Sequence, residues 1–170
     1  MTVTIRRARA DDIEWLVELV NGEETEPFLS GNRASDAVGI AAEVERSERE
    51  PERFGRLIVE VDGERAGVMG FEERSGVHRI ARLGGLAIHP AFRGRHAADD
   101  AARLLQRYLL EDLGYHRLEL AFYGFNDRAI RHAERVGFVR EGVQRRAYLR
   151  HGKWQDAVQF ALLREDLDEC

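Results

Sequence analysis

The chain has 170 residues, 44% of them hydrophobic and 34% charged, with a formal net charge of −5. That size and apolar content suit one globular domain, residues 1–170, with an ordinary buried core. The acidic balance, with no basic stripe, argues against a nucleic-acid-binding surface and mildly favours a cationic substrate.

Thr2 to Ala8 alternates as a first strand. Asp11, with Glu14 three residues on, has the pattern of a capping box, opening a helix whose apolar residues are Ile13, Leu16, Val17, Leu19 and Val20. A polar stretch from Asn21 to Asn32, interrupted by Pro27, Phe28 and Leu29, leads to Ser35, the expected cap of a second, charge-rich helix ending before Pro51. Phe54 to Val61, the turn Asp62-Gly63 and a return run through Ala66, Val68 and Phe71 read as a hairpin. Val77 to Ile88 continues as a longer strand that Pro90 ends; within it Gly84-Gly85 marks a bulge, a close approach of backbone to a ligand, or a simple kink. Ala97 to Leu113 is a helix with Ala101, Leu104, Leu105, Tyr108 and Leu109 on one face and Gly114 as its stop. His116 to Tyr123 is a strand. Asn126 caps a short helix, Asp127 to Val136, stopped by Gly137, and two closing strands, Phe138 to Leu149 and Trp154 to Leu163, meet at His151-Gly152. Hairpin-joined and crossover-joined strands coexist, so the expected fold is α/β with a mixed sheet and helices on both faces.

The stretch HPAFRGRHAADDAARLL, His89 to Leu105, carries Arg93, Arg95 and His96 directly before a helix. The first helical amides have no partner inside the helix and sit at the positive end of its dipole, so cations there are locally unfavourable. An anion held between them and the helix resolves the conflict, and phosphate is the natural candidate. The alternative is a pair of solvated surface arginines.

The order of elements, the segment LAIHPAFRGRHAA (Leu86 to Ala98) and the segment NDRAIRHAERVGFVREG (Asn126 to Gly142) resemble the GNAT superfamily of acetyl-CoA-dependent N-acetyltransferases. The closing stretch, HGKWQDAVQFALL, is most similar to its ribosomal-protein N-terminal and polyamine acetyltransferase branch. The resemblance implies a GNAT fold, a mostly antiparallel sheet of about seven strands. It also implies acetyl-CoA as co-substrate, no metal, and direct transfer of the acetyl group to a primary amine: a peptide N-terminus, a polyamine or another small amine. The family pattern of Arg or Gln, two residues, Gly, one residue, Gly or Ala falls on Arg93, Gly94, Arg95, His96, Ala97 and Ala98, with His96 where glycine is usual. Backbone amides from Arg93 to Ala98 would cradle the CoA diphosphate, with the arginine side chains adding charge-assisted contacts. The strand Leu86, Ala87, Ile88 would offer hydrogen bonds to the pantetheine arm and an oxyanion donor. Asn126 matches the asparagine that contacts the pantetheine, and serves equally as a plain N-cap. Homodimers are common among relatives.

Amine acetylation needs a base and an acid. The family's tyrosine, seven residues after the asparagine, is Ala133 here, and its glutamate, five residues before, is Ala121. Glu119, two residues from Ala121 on the same strand face, is the candidate base, directly or through water, or else a solvated strand charge. Tyr148 is the substitute acid, or a packing residue. Glu72 and Glu73 are further base candidates on opposite faces of their strand. His78, His89, His116, His132 and His151 lack metal-ligand spacing, and Cys170, the sole cysteine, excludes an intrachain disulfide. No apolar run is long enough to span a bilayer and MTVTIRRARADD lacks a signal-peptide apolar region, so a cytoplasmic protein is expected. A non-catalytic CoA-binding module and a pure protein-interaction domain are the rival classes.

Overall fold

The computed structural model describes residues 1–168, so Cys170 lies outside the described residues. The chain runs β1 (Val3–Arg7), α1 (Ile13–Asn21), α2 (Ala37–Arg49), β2 (Phe54–Val61), β3 (Glu64–Ser75), β4 (Ile80–Ile88), α3 (Ala97–Arg107), β5 (Arg117–Tyr123), α4 (Asp127–Arg135), β6 (Val139–Arg150) and β7 (Lys153–Leu163). This is the element order read from the sequence. One seven-stranded sheet has the order β1-β2-β3-β4-β5-β7-β6. All its pairs are antiparallel except β4 with β5, which the crossover helix α3 joins in parallel.

Helices cover both faces. On one side α3 and the end of α4 bury Ala101, Leu105, Ala133 and Val136 against Leu57, Val59, Met69 and Phe71 of the sheet. On the other, α1 and α2 bury Leu16, Leu19, Ile40 and Val44 against Ile58, Val68 and Ala87. Because β2 is covered twice, it reads as an unbroken apolar run apart from Arg56 and Glu60, rather than as an alternation.

Four local expectations are corrected. Helix α1 is entered through a 3-10 turn, Ala10–Asp12, so its N-cap position is Asp12, which bonds back to Arg9 rather than to a helix amide, and Asp11 with Glu14 forms no capping box. The buried Asp12 carboxylate accepts from the Arg9 amide at 2.8 Å. Burial alone would raise this carboxyl, but the Arg6 hydrogen bond, the Arg9 amide and the charges of Arg6 and Arg65 bring it below its ordinary value. Helix α2 is capped by Asp36, whose Oδ1 accepts from the Gly39 amide at 2.6 Å, while Ser35 gives only its carbonyl, to Asn21. A carboxylate at the positive helix end is a stronger acceptor than a hydroxyl. Strand β4 begins at Ile80, not Val77, because Ser75 Oγ accepts from the His78 amide at 3.1 Å and Arg79 takes φ 51°, which closes a turn. Beyond Arg107, α3 widens into one π-helical turn, Tyr108–Asp112, which sets the consecutive Leu109 and Leu110 in the core before Gly114, at φ 73°, ends the segment.

Candidate active site

Strands β4 and β5 begin as neighbours and then part. Their ladder runs from Ile80 opposite Arg117 to Arg82 opposite Glu119 and stops there. From Leu83 onward, the edge of β4 that faces β5 has no strand beside it. The cause lies in β4 itself: Gly70 pairs with Gly84 and Val68 with Ala87, so Gly85 and Leu86 together oppose the single residue Met69. This is a bulge, with Gly85 at φ 67°, a conformation glycine adopts at no steric cost. The extra residue resets the side-chain alternation, so Leu83, Leu86 and Ile88 all meet the core under α3 while Ala87 meets the core under α1 and α2.

The gap leads to the start of α3. The amides of Gly94, Arg95, His96, Ala97 and Ala98 have no acceptor among the described residues, whereas that of Arg93 closes a turn on the Pro90 carbonyl at 3.3 Å. Gly94 has φ 77° and His96 φ 59°, so consecutive amides turn toward one concavity, an anion nest at the positive end of a helix. Histidine holds the left-handed position that glycine usually takes, and its ring is turned out, with 78% of the side chain exposed. Arg95 is exposed beside the nest. The Arg93 side chain, expected to add charge to the phosphate site, is engaged elsewhere in this structure: its Nε donates to the Ile88 carbonyl at 3.0 Å and its Nη atoms donate to Glu24 at 3.3 Å. That guanidinium ties the loop after α1 to the end of β4, and the Ile88 carbonyl is thereby occupied. Burial, then the neighbouring Arg128, lower the Arg93 pKa from its ordinary value, with Glu24 opposing.

In the acidic first turn of α3, Asp100 stands 3.8 Å from Arg103 and Asp99 Oδ2 lies 3.5 Å from His96 Nδ1. Asp99 is buried against α4, accepting from Arg135 Nε and Nη2 at 3.0 Å and from His132 Nδ1 at 2.7 Å. The Arg135 hydrogen bond, then that of His132, hold its carboxyl far below the usual range. Burial lowers His132 from its ordinary value of 6.5 despite Asp99, so the imidazole stays neutral with its proton on Nδ1. The unfolded chain therefore takes up a proton on His132 near pH 6.5 before the folded one does, and stability falls as pH drops below that value. A second loss comes below pH 3.8 as Asp99 is forced to protonate. Thermal melts between pH 7.5 and 5 are expected to show a declining midpoint in wild type and a flatter profile in His132→Asn.

Asn126 takes the expected N-cap position. Its Oδ1 accepts from the Ala129 amide at 3.2 Å, capping α4, and its Nδ2 donates to no described residue. The aligned family tyrosine position, Ala133, is buried in the core and has no access to the gap.

On the face toward α1 and α2, the root of the gap gathers Arg82, Glu119 and Tyr148. Arg82 Nη2 donates to Tyr148 Oη at 3.2 Å. Glu119 reaches this place with both oxygens engaged: Arg74 Nη1 donates to each, 2.9 Å from Oε2, and Arg117 stands 3.7 Å away. A carboxylate clamped by two guanidinium groups is a poor direct base. Glu72 accepts from Arg46 at 2.9 Å, and Glu73 from Arg53 at 3.2 Å on the opposite face, so neither opens on the gap. Tyr123 stacks on Phe125 with centroids 5.1 Å apart and meets Tyr148 edge-on at 5.6 Å, while its hydroxyl donates to the Leu29 carbonyl at 3.1 Å. This aromatic group joins the loop after α1 to β5 and β6.

Sequence reasoning passed over Arg33, Arg56 and Arg150, which line a cavity between that loop and the bulge, and Glu43, which pairs with Arg56 behind it. The signal was present in β2, where Arg56 interrupts FGRLIVEV, a run otherwise apolar up to Glu60. An arginine in a doubly covered strand needs a reason.

A mixed sheet opened at a bulged strand, with a nest of free amides beside the gap, defines a transferase that draws an acyl group from a diphosphate-bearing thioester. The chain belongs to the Acetyltransferase (GNAT) domain family, whose match covers residues 2–139. It is an acetyl-CoA-dependent N-acetyltransferase that passes the acetyl group to an amine. It is 27% identical over 167 residues to spermidine N(1)-acetyltransferase of Escherichia coli K12, covering 95% of this chain and 86% of the relative. It is 29% identical over 105 residues to the putative ribosomal N-acetyltransferase YdaF of Bacillus subtilis, covering 62% and 57%. Among solved structures, a probable acetyltransferase superposes with TM-score 0.81 at 25% identity, covering 96% and 93% of the two chains. The Vibrio cholerae spermidine N-acetyltransferase in complex with CoA and spermine superposes at 0.85 and 20% identity, covering 96% of each.

Proposed function

We propose that the diphosphate of acetyl-CoA rests on the amides of Gly94 to Ala98, with Arg95 as the one arginine of this loop whose side chain adds charge. The pantetheine arm then runs along the free edge of Leu86 and Ala87, within reach of the Asn126 amide, and the thioester lies at the Gly84-Gly85 bulge. Acetyl-CoA supplies an activated acyl carbon; the chain supplies position and a path for protons. Tyr148 gives a proton to the departing thiolate, because Arg82 occupies its oxygen as a donor and leaves the hydroxyl hydrogen free. Glu119, clamped as it is, takes the amine proton only through water. The amine arrives from the α1 and α2 side, past Tyr123 and Phe125.

The observation that carries this reading is the unbroken run of free amides opening α3 with the His96 ring turned outward. The test is ligand-linked stabilisation. Saturating acetyl-CoA at 100 times its Kd should stabilise the fold by about 2.7 kcal/mol. Desulfo-CoA, which keeps the diphosphate, should retain most of that gain, and dephospho-pantetheine should not. Equal stabilisation by pantetheine alone would sink the placement. Spermidine is the first acceptor to assay, since two relatives are named for it.

A further inference from the structure

Beneath the bulge, two arginines are set into the protein with too few carboxylates to match them. Arg56, on β2, has a side chain only 2% exposed; Nη1 lies 3.1 Å from Glu43 Oε2, yet its Nε–H has no hydrogen-bond partner. Arg33, in the loop before α2, lies over the Phe54 ring at 5.0 Å and forms neither a hydrogen bond nor an ion pair within 4 Å among the described residues. Both approach the bulge: a Cβ placed on Gly85 would stand 3.4 Å from Arg33 Cγ and 3.7 Å from Arg56 Nη1. They line a cavity of about 270 Å³ with Asn21, Leu29 and Arg150. Arg150 is held by the Glu26 carbonyl and carboxylate, and its buried Nε is also unpartnered.

Three guanidinium groups thus line one small cavity with a single carboxylate, Glu26; Glu43 stands behind Arg56, outside the lining, and its buried Oε2, 3.1 Å from Arg56 Nη1, also has no hydrogen-bond partner. Glu72, the next carboxylate toward Arg33, is already hydrogen-bonded to Arg46. A buried N–H of a charged group left without an acceptor is costly, because its lost hydration is not replaced. Such a cost persists where a ligand repays it, and guanidinium is the side chain whose planar fork matches a carboxylate. A polycation would meet the opposite sign here. The volume lies below the range of roughly 300–1,000 Å³ usual for drug-sized ligands, so the occupant is small.

We infer that this cavity receives the carboxylate of the acceptor, so that the amine this enzyme acetylates belongs to a small molecule of the amino-acid class, its acid group on Arg33 and Arg56 and its amine toward Gly85. The inference rests on the placement of the thioester at the bulge proposed above. The test is calorimetry on the CoA-loaded protein with matched pairs that differ only in the acid group: alanine and ethylamine, leucine and 3-methylbutylamine, phenylalanine and phenethylamine, with spermidine added. The acid member of at least one pair should bind ten times more tightly than its partner and than spermidine. Arg33→Gln should abolish that preference, Arg33→Lys should restore part of it, and neither should alter CoA affinity. Equal or tighter binding of the acid-free amines or of spermidine, or a preference that survives Arg33→Gln, would overturn the inference and leave the CoA placement standing. An acid preference that is kept when CoA itself fails to bind the Gly94 nest would instead overturn the placement, since the anion site is read by binding and not by turnover.

Discussion

Tyr148→Phe is expected to lower kcat for amine-dependent CoA release about 10- to 100-fold while leaving the KM for acetyl-CoA within about twofold. A positioned general acid contributes typically 10²- to 10⁴-fold, and the lower end applies because a CoA thiolate is a tolerable leaving group. The phenylalanine keeps the edge-on contact with Tyr123, so packing is preserved and only the hydroxyl that Arg82 holds is removed. A loss confined to kcat would mark the acid role. An unchanged kcat, or a loss wholly in KM, would assign Tyr148 to packing. A solvent that supplies the proton freely, as at low pH, should narrow the gap between the two enzymes.

The second large effect concerns the nest. Gly94→Val places a β-branched residue at φ 77°, where such residues are true outliers, at a cost of roughly 1–2 kcal/mol. A Cβ there meets no atom within 4 Å, so the variant should fold normally. In the unbound loop the strain relaxes; binding the diphosphate must restore it. The Kd for acetyl-CoA is therefore expected to rise about 10-fold or more, since each 1.4 kcal/mol is a factor of ten. His96→Gly is the matched control: it keeps the left-handed conformation at lower cost and should leave the affinity within about twofold. Equal affinity of Gly94→Val and wild type, measured by calorimetry, would remove the nest from the binding site.

How much of this was legible in the chain differs between main chain and side chain. The nest followed from Arg93 to Ala98 because anion binding by amides depends on local φ and ψ, which Gly94 and the αL-tolerant His96 set by themselves. The same residues did not show the Arg93 side chain turning back to Glu24 across 69 positions of sequence, a contact no local pattern encodes. Glu119 was placed on the correct strand face by simple alternation, but its two arginine clamps come from β3 and from β5 itself, and only the assembled sheet shows that its oxygens are taken. The caps were read one residue early at both Asp11 and Ser35. Asp36 caps α2 through a contact only three residues long, whereas Asp12 is held by ion pairs with Arg6 and Arg65 that exist only once the sheet has assembled.

Element order, the mixed sheet, the bulge at Gly84-Gly85 and the left-handed turns at Gly94 and His96 that open α3 were determined by the sequence alone, since periodicity, turn residues and glycine act over a few neighbouring positions. Where β4 and β5 separate, which arginines find carboxylates and which remain unmatched around the cavity beside Gly85 were decided by tertiary structure. Charge pairing depends on distance in space and on the exclusion of water, and neither exists until the two cores have closed around the sheet.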